Sequence, residues 1–71
     1  MVAVIKVIEL VGQSKKGWDA AVKSAVAEAA KTIRHISGVE VLNWTGNVVD
    51  GEVVEYKVNV KIAFRVEPED E

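Results

Sequence analysis

Seventy-one residues, 49% hydrophobic and 28% charged with a single proline, make one small folded domain rather than a disordered segment. The absence of cysteine excludes disulfide scaffolds, thiolate metal sites and cysteine nucleophiles, and a lone histidine, His35, leaves little for imidazole-based metal chemistry. Nine basic against eleven acidic residues, a net charge of −2, has the wrong sign for a chain defined by nucleic-acid phosphates, and no apolar run approaches the ~20 residues that span a bilayer.

The N-terminus lacks a secretory pattern, so the expected setting is the cytoplasm. A chain this short buries only about 60% of the surface its unfolded form exposes. Without disulfides or a structural metal, self-association is the expected stabiliser.

In chain order, Val2 to Val11 is rich in Val and Ile and reads as a strand, apolar on both faces and so expected to be covered on both. Gly12-Gln13-Ser14 ends it, with Ser14 as the expected N-cap of a helix over residues 15–35. Trp18, Val22, Ala25, Val26, Ala29 and Ile33 form one helical stripe, and its alanines allow close approach to a sheet. Arg34 and His35 suit a helix C-terminus, and Gly38 is placed to stop it.

The remainder reads as a hairpin, with strands over 39–45 and 52–66 around a turn containing Asp50-Gly51. Alternation sends Tyr56, Val58, Val60, Ile62, Phe64 and Val66 to one face, and Lys57, Asn59, Lys61, Ala63 and Arg65 to the other. The same alternation sets Leu42 and Trp44 on the face of Lys57 and Lys61, and Trp44 on that of Gly38. The acidic tail 67–71 ends the last strand and is expected to fray. The expected architecture is α+β with β-α-β-β order: one long helix across a three-stranded sheet, whose opposite face is left for other copies of the chain.

No catalytic constellation emerges. His35 has no serine, cysteine or carboxylate tied to it by a motif, Gly12 and Gly17 lack phosphate-loop spacing, and no metal-ligand set is present. Lys57, Lys61 and Arg65 share a strand face that either holds an anion or is balanced by Glu40 and Glu55.

With this order established, the residues resemble the dodecin family. Val7-Ile8-Glu9-Leu10-Val11-Gly12-Gln13-Ser14 is similar to that family's first strand and turn, and Lys31-Thr32-Ile33-Arg34-His35-Ile36 to its helix end. The run from Tyr56 to Glu67 is similar to its last strand, so the resemblance covers nearly the whole chain.

It implies a three-stranded antiparallel sheet wrapped on one long helix, assembling as a hollow homododecamer of four trimers that binds and stores a small molecule, flavin (FMN, riboflavin or FAD), without catalysis. Charge and composition already speak against nucleic-acid and membrane partners. In the family, flavins lie in pairs at two-fold contacts, each stacked on a tryptophan and bonded at its polar edge by a glutamine. Those positions fall on Gly38 and Lys57 here, which implies reduced flavin affinity. Ser37, Val39, Trp44, Thr45 and Arg65 are the neighbouring candidates for ligand or subunit contact. The alternative is a flavin-free structural or ion-binding shell, in which acidic positions such as Glu9, Glu28, Glu40 and Asp50 line symmetric pores or hold divalent cations.

Overall fold

The computed structural model describes residues 4–66. The expectations placed on residues 2–3 and on the tail 67–71 lie outside the described residues. Strand β1 (Val4–Ser14) leads into helix α1 (Trp18–Ala30), followed by the hairpin of β2 (Ile36–Val49) and β3 (Glu52–Val66). The sheet order is β1-β3-β2, with both pairings antiparallel. This is the β-α-β-β arrangement expected from the sequence.

The apolar face of β3 makes the floor of the core. Val58, Val60 and Ile62 are completely buried beneath Ala21, Ala25 and Ala29 of α1, each of the three β3 residues contributing about 1.5–3 kcal/mol. Ile8, Leu10, Trp18, Val22, Val26, Ile33, Ile36 and Val41 pack around this centre. The closest helix–sheet contact thus runs through alanines spaced by four, and Ala21 belongs to it although the expected stripe left it out.

The helix is shorter than the expected 15–35. At its start, β1 stays paired as far as Ser14, opposite Tyr56, so the chain is still extended where a helix was expected. Gly17 takes the N-cap position with no side-chain cap, and Ser14 Oγ instead accepts the Lys16 N–H at 2.9 Å. At its end, the Lys31, Thr32 and Ile33 N–H groups donate to the Glu28 and Ala29 carbonyls, closing the last turn. His35 then adopts φ 64°, a left-handed conformation that a helix cannot continue through.

Arg34 and His35 therefore lie beyond α1 rather than capping it, and Gly38 is no helix stop: it lies inside β2, opposite Ala63. The His35 carbonyl accepts the Arg65 N–H at 3.1 Å, which ties this link to the end of β3.

The β2–β3 hairpin closes through a two-residue loop, Asp50-Gly51, at φ 53° and 79°. Positive φ at both positions is the mirror-image turn whose twist matches the flanking strands. Aspartate tolerates that region, and at the second position glycine avoids a Cβ clash worth about 1–2 kcal/mol. Gly51→Ala is expected to lower the melting temperature by roughly 4–8 °C per kcal/mol lost, checked by a thermal melt against the parent.

β2 is longer than the expected 39–45, and this hairpin draws the molecule out to 57 × 20 × 13 Å. The Cα radius of gyration is 15.0 Å, against about 11 Å for a compact chain of this size. Val48, Val49, Val53 and Val54 stay exposed along the arm. On β1, Ile5, Val7 and Val11, opposite Arg65, Ala63 and Asn59, are more than half exposed, so the helix-distal face of that strand is not covered within the chain.

Candidate ligand site on the helix-distal face

The register sorts the helix-distal face of the sheet into rows that cross it from β1 through β3 to β2. Val7, Ala63 and Gly38 make one row, and Glu9, Lys61 and Glu40 the next. Val11, Asn59 and Asn43 follow, then Gln13, Lys57 and Thr45. Arg65 continues this face beyond Ala63, opposite Ile5. Two candidate areas result.

The first surrounds Gly38. Val7, Gly38, Val39, Glu40, Lys61 and Ala63 line an open hollow of about 450 Å³. Its floor is aliphatic and small, because a Cβ on Gly38 would meet only the Ala63 Cβ, at 4.0 Å. Lys61 is flanked in its row by two carboxylates, so the charged row beside this hollow is net negative.

The second is the Lys57 row. Lys57 is half-buried between Gln13 and Thr45, and neither neighbour carries charge. Glu55 lies in the adjacent row of the same face, where Asn47 Nδ2 donates to its Oε1 at 3.1 Å.

The two areas are separate within one chain. Gly38 pairs with Ala63, six residues along β3 from Lys57, which is about 20 Å of extended strand. Ser37 is the extra residue of a bulge between Ile36 and Gly38.

Trp44 corrects the sequence reading. A second bulge between Val41 and Asn43 adds one residue to β2 and reverses its alternation. Trp44 therefore lies opposite buried Val58, on the helix side of the sheet, and not on the face of Gly38, Lys57 and Lys61. There it meets Trp18 edge to face, with ring centroids 6.3 Å apart. Trp18 also contacts Tyr56 at 4.7 Å, and its Nε1–H donates to the Thr45 carbonyl at 2.9 Å. Trp18 and Tyr56 thus anchor the start of α1 to the hairpin, while Trp44 keeps about half of its surface exposed.

Among the described residues, no three His, Asp or Glu side chains come together as a metal site, and no helix is long and apolar enough to cross a membrane. Gln13 is the cross-strand neighbour of Lys57, a nearness that no spacing along the chain signals.

Comparison with known proteins places this face in context. The family model described as Dodecin matches residues 4–67. The chain belongs to the dodecin family. It is 42% identical over 64 residues to the dodecin of Thermus thermophilus, covering 90% of this chain and 93% of that one. A crystal structure of a Thermus thermophilus protein superposes with a TM-score of 0.90 at 40% identity, over 94% of this chain and 98% of that one. The Streptomyces coelicolor dodecin structure gives 0.88 at 37% identity, over 94% and 96%. The β-α-β-β fold is therefore that of solved dodecins.

Proposed function

We propose that this chain is a non-catalytic cytoplasmic binding protein, a dodecin-type homododecamer of four trimers that takes up flavin with low affinity. Family membership supports the ligand class. The observation that carries the assembly is the 20 Å gap: a ligand held by both the Gly38 and the Lys57 positions must draw them from different copies of the chain. The drawn-out shape and the exposed valines on β1 and the hairpin are the apolar surface those copies would cover.

The fit to an isoalloxazine ring is uneven. Its polar edge, an N–H between two carbonyls, finds donors in Lys57 and Thr45 and a donor–acceptor amide in Gln13. Its ring face finds no aromatic partner at Gly38, and Trp44 stands on the other side of the sheet. Ser37, Val39 and Arg65 border the Gly38 end and supply no aromatic ring either.

Size-exclusion chromatography with an absorbance spectrum tests this reading. The expected result is a particle of twelve 7.7-kDa chains that is colourless or faintly yellow as purified and quenches added riboflavin. A folded monomer at low micromolar concentration overturns the assembly.

An assembled shell that leaves riboflavin fluorescence untouched favours the second reading, a flavin-free structural or ion-binding shell, to which the bare Gly38 already points. In that case Glu9 and Glu40 lie in one row with Lys61, and Glu28 is paired with Lys31 at 3.1 Å, so a cation site would have to combine carboxylates from several copies.

A further inference from the structure

Two lysines share the helix-distal face of β3, four residues apart, and the register gives them opposite surroundings. Lys61 stands between Glu9 and Glu40, so its charge is more than matched within its own row. Lys57 stands between Gln13 and Thr45, and the row between the two lysines, Val11–Asn59–Asn43, is uncharged. The next carboxylate on the far side, Glu55, already accepts from Asn47. Lys57 is half-buried, and its cross-strand neighbours lie about 4.5–5.5 Å away between Cβ atoms. One ammonium, one amide and one hydroxyl therefore stand side by side in a row three strands wide that contains no carboxylate.

That donor set discriminates between charge states of a planar polar edge. Lysine has three donors and no acceptor. Toward a neutral imide it can serve only the carbonyls, leaving the N–H to Gln13. Toward an edge that carries a delocalised negative charge it forms a charge-assisted hydrogen bond, roughly twice as strong as a neutral one.

We propose that the Gln13–Lys57–Thr45 row selects the anionic form of its ligand's polar edge, so that this chain holds the reduced, N1-deprotonated isoalloxazine more tightly than the oxidised, neutral one. This rests on the flavin reading above. Gln13 positions the edge in either state, and Lys57 supplies the preference. By linkage, a tenfold preference raises the bound ligand's two-electron potential by about 30 mV.

The test is anaerobic equilibrium dialysis of the assembled protein in mildly alkaline buffer, against oxidised riboflavin and against dithionite-reduced riboflavin, with free ligand counted by absorbance after reoxidation. The reduced form is expected to bind at least tenfold more tightly. Lys57→Gln is expected to bring the ratio to one or below, and Lys57→Arg to preserve it. Gln13→Ala is expected to weaken both forms alike, each variant eluting at the parent's size. Equal or tighter binding of oxidised riboflavin by the parent, or a ratio unchanged in Lys57→Gln, overturns the proposal and leaves the flavin reading standing. Retention of neither form removes both.

Discussion

Gly38→Trp is expected to raise the affinity for oxidised riboflavin by roughly 5- to 150-fold, the equivalent of the ~1–3 kcal/mol that one aromatic–base stack contributes. The site can accept the side chain. A Cβ at position 38 meets only the Ala63 Cβ at ordinary contact distance, the residue lies in paired β2, and the hollow beside it offers about 450 Å³. No backbone strain opposes the change, because Gly38 is not among the residues at positive φ.

Adding Lys57→Gln replaces a donor-only group by an amide that complements an N–H between two carbonyls. The double variant should therefore exceed either single one in affinity for the oxidised ring. Fluorescence-quenching titration of parent, single and double variants measures all four affinities. Equal affinity in parent and double variant would show that neither position faces the ligand. A gain in Gly38→Trp alone would keep the stacking position and remove Lys57 from the polar edge.

How much of this site can be read along the chain depends on where the strand period survives. β3 keeps an uninterrupted period of two from Tyr56 to Val66, and the face reading there matches the burial of Val58, Val60 and Ile62. β2 does not keep it. Ser37 and Leu42 are each inserted by a bulge, and every residue after Leu42 changes face relative to plain alternation. Plain alternation therefore puts Trp44 on the wrong side, since nothing in Val41-Leu42-Asn43 marks a bulge.

The helix limits are hidden in the sequence for a related cause. Ser14 and Lys31–His35 have acceptable helical chemistry, but pairing of Ser14 with Tyr56 and the left-handed backbone at His35 are tertiary outcomes. The nearness of Gln13 to Lys57 likewise exists only through the β1–β3 register, which forty-odd intervening residues conceal.

Gly12 shows the same limit with the largest expected consequence for stability. It reads as the residue that ends the first strand, yet it is buried in β1 opposite Val58, directly under α1. A Cβ there would fall well inside the van der Waals radius of the Ala21 carbonyl oxygen and 2.9 Å from the Ala25 Cβ. The clash is with helix backbone, so rotating a side chain cannot relieve it. The helix must lift, and lifting it separates Ala21, Ala25 and Ala29 from Val58, Val60 and Ile62, which together are the fully packed centre of the fold.

Overpacking of this kind costs about 1–3 kcal/mol even where side chains can yield. Gly12→Ala is expected at the upper end, lowering the melting temperature by roughly 10–20 °C. Gly38→Ala is the matched control, because its new methyl has room, and it should melt within a few degrees of the parent. Circular-dichroism melts of the two variants at equal concentration make the comparison. Indistinguishable curves for Gly12→Ala and the parent would mean that the sheet and helix do not approach as closely as the alanine stripe allows.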